Sequence, residues 1–253
     1  MDINQNGVII YQGPSMLDGA PIVAIATGFT KNSANAKTGG ELIQTWIIRA
    51  DMAPQKALNN GADESICGDC RHRGEVIDGK NSSRACYVNI AHAPRGVYAC
   101  FKRGGYERLM AQYDISQKFA GLGVRLGSYG DPAAVPLKVW HAVMHDAKFN
   151  TGYTHQWQSA DIGYAKYCMA SVDTAGERAM ANAMGYRTFR VRHRDDAILG
   201  REVICPASEE AGHKTTCDSC KACGGTGSKA RADIVIAVHG GASKIKAHNN
   251  LSL

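Results

Sequence analysis

Apolar residues along this chain fall into short runs of strand length, separated by turns rich in glycine and proline. Near the N-terminus, three such runs span Val8 to Tyr11, Ile22 to Ala26 and Leu42 to Ile48. Short apolar runs bounded by turn residues are typical of buried β-strands. Residues 1–66 are therefore predicted to form a β-rich segment. Within them, Thr30 to Gly40 contains Lys37-Thr38-Gly39 but lacks the spaced glycines of a phosphate loop, which predicts a polar loop.

Beyond residue 120, apolar runs alternate with stretches of helix length. The candidate strands are Gly123 to Ser128, Thr151 to Thr154, Cys168 to Val172, Thr188 to Arg192, Val203 to Cys205 and Ile234 to Val238. The candidate helices between them are Ala134 to Ala147, Ala160 to Lys166 and Ala175 to Met184. This alternation predicts a parallel sheet with right-handed crossovers. The fold class is α/β, with a complete or partial (β/α) barrel favoured over an open doubly wound sheet.

The chain divides by pattern into three parts. The β-rich segment 1–66 is followed by a cysteine loop with helices in 67–120 and by a parallel α/β core with a C-terminal cysteine-rich loop in 121–253. A chain of 253 residues can bury these parts around one core. We therefore expect one compact domain overall, while the oligomeric state stays open.

Composition narrows the cellular setting. No apolar run approaches the roughly 20 residues that a bilayer span needs, and Met1 to Asn6 lack the basic and apolar stretches of a secretory signal. We therefore expect a cytoplasmic protein without a membrane partner. The net charge of +6 suits a polyanionic partner such as nucleic acid.

Seven of the nine cysteines form two groups. The first comprises Cys67, Cys70 and Cys86, and the second comprises Cys205, Cys217, Cys220 and Cys223, followed by His239. In a reducing cytosol, clustered cysteines indicate metal ligands rather than disulfides. The second group could hold a tetrahedral zinc completed by His239 or Cys205, or three irons of a four-iron cluster. The remaining two cysteines, Cys100 and Cys168, are predicted to be small core residues.

Polar residues follow several predicted strands, where a parallel sheet collects its chemistry. Asp131, Asp173 and His155 are the candidate catalytic residues, because two carboxylates can divide nucleophilic and acid–base work. The candidates for binding a base and its phosphates are Tyr129, Tyr153, Gln156, Trp157, Arg190 and Arg192. The three catalytic candidates have simpler explanations as well: the two aspartates could cap the following helices, and His155 could be a core histidine.

Four pieces of the chain resemble a phage-encoded cysteine-rich family of poorly defined function. They are Cys67-Gly68-Asp69-Cys70 with Cys86-Tyr87, Val124 to Asp131, Gly152 to His155, and Cys205-Pro206-Ala207 leading to the three closely spaced cysteines and His239. The resemblance spans about residues 60 to 240. It implies that the protein is located in the cytoplasm of an infected host cell.

More distantly, the C-terminal part is similar to transglycosylases that exchange guanine for a deazaguanine in tRNA, and to their phage relatives that act on DNA. This resemblance implies a barrel, zinc held by Cys217, Cys220, Cys223 and His239, and two catalytic acids, Asp131 and Asp173. It implies a base-like small substrate and a nucleic-acid partner, with DNA favoured over RNA. The chain departs from that family in its first cysteine spacing and lacks the Ser-Gly-Gly-Phe-Gln stretch.

Two alternatives stay open. The chain also resembles radical S-adenosylmethionine enzymes, which use a partial (β/α) barrel, a four-iron cluster held by three cysteines, and S-adenosylmethionine. Their usual cysteine spacing, three residues and then two, is absent here. In the third interpretation, both cysteine groups are structural zinc sites in a nucleic-acid-binding module without catalysis. We favour the transglycosylase-like enzyme on the sequence alone.

Overall fold

A computed structural model describes residues 3–31, 37 and 39–251. Its strands are β1 (Gly7–Pro14), β2 (Pro21–Thr27), β3 (Leu42–Arg49), β4 (Glu75–Ile77), β5 (Lys80–Ser82), β6 (Glu107–Arg108), β7 (Gly123–Tyr129), β8 (Phe149–Thr154), β9 (Met169–Val172), β10 (Thr188–Arg192), β11 (Glu202–Ile204) and β12 (Asp233–Ala237). Its helices are α1 (Pro54–Asn60), α2 (Glu64–Cys67), α3 (Ala93–Lys102), α4 (Gln112–Phe119), α5 (Leu137–His145), α6 (Ala175–Ala183), α7 (Cys217–Cys220) and α8 (Ala242–Asn249).

Ten of these strands form one sheet in the order β11-β12-β10-β9-β8-β7-β3-β2-β1-β6. The seven neighbours from β11 to β3 all pair in parallel. Strands β1 and β2 continue the sheet in antiparallel pairing, and β6 adds a short parallel edge to β1. The predicted α/β class with a large parallel sheet is therefore confirmed, and β3 from the N-terminal segment joins its parallel part.

The ends of this sheet are β11 and β6, and no pairing joins them in the part of the chain that the structure describes. Closure into a complete barrel thus stays a prediction. Six of the parallel strands, β3, β7, β8, β9, β10 and β12, lie side by side in chain order. The β-rich character of the N-terminal segment is confirmed by β1, β2 and β3.

The sheet divides its side chains between two environments. Val124 and Leu126 of β7 are fully buried and pack with Phe119 of α4 and with Trp140 and Val143 of α5 in one core cluster. Because successive side chains of a strand point to opposite faces, the odd-numbered residues of β7 lie on the other side of the sheet. That second side carries the candidate site.

Three predicted elements differ in the structure. The helix predicted from Ala134 begins at Leu137, because Pro136 precedes it and a 3-10 turn occupies Pro132–Ala134. The helix predicted for Ala160 to Lys166 is a 3-10 turn over Ile162–Lys166, where the Asp161 side chain accepts from the Gly163 amide. The predicted polar loop Thr30 to Gly40 lies largely outside the described residues.

Several described elements lacked a sequence signal. Strands β4 and β5 form a separate exposed hairpin, and α1 begins at a proline after a polar stretch. Within the described ranges, every helix is too short or too polar to cross a bilayer.

Shortening the Leu126 side chain tests the helix-covered face of the sheet. Leu126→Ala leaves a cavity beneath α4 and α5, because Leu126 is 0% exposed, so the free energy of unfolding should fall by about 2–5 kcal/mol. Val203→Ala is the control: Val203 is 49% exposed on β11, and the change should stay within about 0.5 kcal/mol. Urea unfolding followed by circular dichroism measures both, and equal effects would contradict the described packing.

Candidate metal centre

A cavity of about 380 Å³ lies on the face of the sheet away from α4 and α5. Alternate residues of successive strands line it, namely Arg125, Gly127 and Tyr129 of β7, Thr151 and Tyr153 of β8, Phe189 and Val191 of β10, and Ile234 and Ile236 of β12. Its volume falls within the roughly 300–1,000 Å³ typical of small-molecule sites. All seven cysteines of the two predicted groups line this cavity.

The first cysteine group lies in the connection after β3. Helix α2 ends at Cys67, and Gly68 follows with a φ of 57°. A Cβ at Gly68 would collide with the side-chain amide of Gln156, so glycine is required there. Cys70 begins the next 3-10 turn, and the Cys86 amide donates to the His72 carbonyl at 2.8 Å. This hydrogen bond holds Cys86 close to the turn that follows Cys70.

The second group is assembled from three separate contacts with the rest of the fold. The Cys205 amide donates to Val235 O at 2.8 Å, and the Cys217 amide donates to Lys37 O at 3.0 Å. The Cys223 carbonyl accepts from the Gly152 amide of β8 at 3.0 Å. Cys205, Cys217 and Cys220 all act electrostatically on Cys223. These four cysteines therefore line one cavity, although among the described residues no three of their sulfurs lie within 4.8 Å of one another.

His239 was the alternative fourth member of this group. It lines the same cavity, where its ring stacks on Tyr87 with the centroids 6.3 Å apart. Burial, followed by the charge of Lys37, lowers the pKa of His239 below its ordinary value. His239 thus lines the same cavity as the four cysteines and stacks on Tyr87, the residue that follows Cys86.

Burial raises the pKa of most of these thiols. It raises the pKa of Cys70 to about 12 and that of Cys223 to about 12, and it also raises the pKa of Cys67. Opposing this, nearby backbone amides lower the pKa of Cys70, Cys86 and Cys205. Such amides stabilise a thiolate, which is the form in which cysteine binds a metal ion.

One of the two predicted catalytic carboxylates, that of Asp131, lines the same cavity. One oxygen of Asp131 accepts from the Ala133 amide at 2.9 Å, and the other accepts from the His155 amide at 2.7 Å. Burial raises the pKa of Asp131. Asp131 therefore caps the turn after β7 while lining the cavity. The capping explanation and the cavity position hold together for this residue.

Asp173 lies beside His72, a histidine that the sequence pattern did not mark as a site residue. His72 Nε2 lies 3.0 and 3.1 Å from the two carboxylate oxygens of Asp173. Burial raises the pKa of Asp173, but the hydrogen bond and charge of His72, with His155 and Arg71, bring it below the ordinary value. The Asp173 carboxylate is therefore held ionised at neutral pH. His155 and His72 meet edge to face at 5.5 Å, and both line the cavity.

Four predicted binding residues are held by contacts of their own. Arg190 and Arg192 alternate with the cavity residues of β10 and form buried ion pairs with Glu202 and Glu210. Trp157 is buried in a core cluster with Tyr186, and Gln156 donates to Cys67 O and to Asp69 Oδ1. Of the predicted aromatic residues, Tyr129 and Tyr153 line the cavity.

Other cavity residues were not found from the sequence. Tyr87, whose hydroxyl accepts from Arg125 at 2.7 Å, follows Cys86 directly. His72 follows Cys70 by two residues, so its closeness to a predicted ligand was an available signal. His248 lies on α8, far along the chain, and no spacing pattern marks it.

Neutralising Glu202 tests the buried pair with Arg190. The Glu202 side chain is 0% exposed and lies 2.7 Å from Arg190 Nε, so Glu202→Gln should cost about 3–5 kcal/mol at neutral pH by leaving a buried charge unpaired. Burial raises the pKa of Glu202, but the hydrogen bond from Arg190 brings it below its ordinary value. The stabilisation is therefore present above the ordinary pKa of about 4.3 and is lost as pH falls through the lowered one.

Urea unfolding between pH 7 and pH 3 measures this difference for the parent protein and the variant. The exposed Glu75 provides the control, since Glu75→Gln should change the free energy of unfolding by less than about 0.5 kcal/mol. A gap between parent and Glu202→Gln that does not narrow at low pH would contradict the pairing.

Comparison with family models, with curated proteins and with solved structures finds no match for this chain. The resemblances drawn from cysteine spacing and strand ends therefore stay predictions. What the described residues establish is a placement: three cysteines and four cysteines, from opposite parts of the sequence, line one cavity on one face of a parallel sheet.

Proposed function

We propose that this protein is an iron–sulfur enzyme whose substrate binds in the cavity between two clusters. Three cysteines, Cys67, Cys70 and Cys86, would hold one four-iron cluster and leave its fourth iron open. Four cysteines, Cys205, Cys217, Cys220 and Cys223, would hold a second cluster completely. The observation that carries this proposal is the division of seven thiols into three and four around one cavity, which suits one open and one closed cluster.

The spacing of the sulfurs favours a cluster over zinc. A tetrahedral zinc with Zn–S bonds of about 2.3 Å holds its sulfurs about 3.8 Å apart. Among the described residues, no three cysteine sulfurs lie within 4.8 Å of one another. A four-iron cluster separates its cysteines more widely, because each binds a different iron. The cysteine groups as placed therefore fit the larger ligand better.

The surroundings of the sulfurs also suit clusters. Backbone amides act on the sulfurs of Cys70, Cys86 and Cys205, and hydrogen bonds to sulfur are among the features that set the reduction potential of a cluster. Positive charge from Lys37 acts on Cys205 and Cys217, and Arg84 acts on Cys86. These groups would offset the negative charge that four thiolates bring into a buried site.

The position of the first group in the sheet gives further support. It follows β3, the first of six parallel strands that lie side by side in chain order. We infer that these strands form a partial (β/α) barrel around the cavity. Radical S-adenosylmethionine enzymes, which the chain resembles, place their cluster loop after the first barrel strand. A cluster with an open iron supplies one-electron chemistry to a molecule bound there, and S-adenosylmethionine is the cofactor that the resemblance implies.

The chain's own residues would then shape the reaction space. Tyr129, Tyr153 and Phe189 give the cavity aromatic walls that pack against an organic substrate and exclude water. Arg125 faces the cavity beside Cys217 and can pair with an anionic group. His155 reaches the wall from the end of β8, where its imidazole can accept or return a proton.

Metal analysis of protein purified without oxygen tests the proposal. The parent protein should be brown and contain about eight iron and eight sulfide per chain, as two four-iron clusters require. Cys70→Ala and Cys220→Ala should each lose about half of the iron, because each removes a ligand of one cluster. Cys100→Ala is the matched control, since Cys100 packs against the hydrophobic core outside both groups, and it should keep the full iron content.

Two outcomes would overturn the proposal. One is a colourless parent protein that contains zinc and no iron after anaerobic purification. The other is a brown protein in which Cys70→Ala and Cys220→Ala retain as much iron as Cys100→Ala.

Base exchange on nucleic acid is the second candidate function. It is favoured by one observation: Asp131 lines the cavity, and Asp173 lies 3.0 Å from His72, which lines it too, so both acids lie near the same cavity. In this mechanism zinc at the second cysteine group is structural, and the aspartates carry out covalent and proton-transfer work on the sugar. The net charge of +6 suits the nucleic-acid substrate.

Labelled guanine provides the test of this second candidate. The parent protein should incorporate label into DNA or RNA, whereas Asp173→Asn should reduce incorporation by at least about a hundredfold while the zinc content of the cysteine group stays unchanged, as expected for loss of an acid–base group. Asp146→Asn is the control, since Asp146 pairs with His145 at the end of α5 and outside the cavity. Absence of exchange in the parent protein, or full activity in Asp173→Asn, would exclude this function.

A further inference from the structure

A third group of ligand-type side chains lies beside the cavity, which two of its three members line, and it contains no cysteine. One ligand atom each from His72, Asp173 and His248 lies within 4.8 Å of the other two, and in the described part of the chain this is the one such group. The three residues come from the cysteine loop, the end of β9 and helix α8. Their side chains are 11%, 4% and 2% exposed.

His248 is the member that its surroundings do not explain. It is 2% exposed, and neither of its ring nitrogens has a partner in hydrogen-bonding geometry, although the neighbouring Asn249 side chain acts on the ring. A buried polar group without a partner costs about 1–3 kcal/mol. Its Nε2 lies 4.0 Å from Asp173 Oδ1, and its ring stacks on that of His72 at 5.5 Å. The imidazole is therefore directed at the carboxylate without reaching it, which leaves room for an ion between them.

We propose that His72, Asp173 and His248 bind a divalent transition-metal ion, such as Fe²⁺ or Mn²⁺, as a two-histidine, one-carboxylate site. This ligand set with open positions is typical of non-haem iron sites. His72 and His248 both line the cavity, so an ion bound to them would direct its open positions toward it.

The distances suit such an ion. Two ligand atoms bonded at about 2.1 Å lie about 3.0 Å apart at a right angle and about 3.4 Å apart at the tetrahedral angle. His72 Nε2 lies 3.0 Å from Asp173 Oδ1 already, and His248 Nε2 lies 4.0 Å from it. The separation between His248 and Asp173 therefore has to shorten by less than about 1 Å to reach these values.

The supporting contacts fix the carboxylate. The Asp173 amide donates to Glu177 Oε2 at 2.8 Å, and the same glutamate pairs with Arg71, whose guanidinium approaches Asp173 at 3.7 Å. On the other side, His193 meets His248 edge to face at 5.3 Å. Contacts around the ligands of this kind hold a metal site in shape.

Titration of the full-length protein with Mn²⁺, followed by electron paramagnetic resonance, tests this site. Mn²⁺ is chosen because it prefers nitrogen and oxygen ligands to thiolates, so the cysteine groups should contribute little. The parent protein should bind one equivalent per chain, with nitrogen hyperfine couplings from two imidazoles. Asp173→Asn and His248→Gln should each weaken binding by at least about tenfold.

His145→Gln is the matched control. His145 also lies 3.0 Å from an aspartate, Asp146, but its side chain is 74% exposed and it belongs to no three-ligand group, so Mn²⁺ binding should be unchanged. The nitrogen couplings are measured in the parent protein, so this test does not depend on the folding of a variant. Their absence would overturn the proposal. Equal binding by the parent, Asp173→Asn and His248→Gln would overturn it as well. Neither result depends on iron in the cysteine groups, so the cluster proposal is tested separately, by the iron content of the protein.

Discussion

The alternation of side chains along the parallel strands is the constraint on which the rest of the structure depends. On β7, Val124 and Leu126 pack with α4 and α5 in the core, whereas Arg125 faces the cavity. Alternate residues of β8, β10 and β12 line the cavity as well, so one face of the sheet faces the core and the other borders the cavity. A slip of one residue in any of these strands would exchange the two faces. The fold and the site are therefore specified by the same pattern.

This constraint explains which parts could be predicted from the sequence. Strands β2 and β12 were predictable because each buries a continuous apolar run, such as Ile22 to Ala26 in β2, where all five residues are 0% exposed. The two cysteine groups were marked by their close spacing in the sequence, and all seven cysteines line one cavity. The face of the sheet on which each strand residue lies was not predictable, however. Arg190 and Arg192 occupy the strand positions that face away from the cavity. Whether the odd-numbered or the even-numbered residues of a strand face the cavity depends on helices elsewhere in the chain.

Other residues of the site depend on contacts between distant segments. His72 and Asp173 are 101 positions apart, and His248 joins them from α8. No local spacing records such a meeting, since it follows from strand order and from the path of the loops. Gln156 shows the reverse case: as an amide at a strand end it was a reasonable binding residue, yet its side chain holds the first cysteine loop to β8. Its role is to position Cys67, which a sequence alone does not show.

The contact between Lys244 and the first cysteine loop has a consequence for how the protein is assembled. Lys244 Nζ on α8 donates to the Arg84 carbonyl at 3.0 Å across 160 positions of sequence. Contacts between such distant segments form late, because the intervening chain loses entropy when its ends meet. The loop that carries Cys86 is therefore not covered by α8 until the intervening chain has folded. Docking of α8 then acts as a closing step that holds this loop against the rest of the fold.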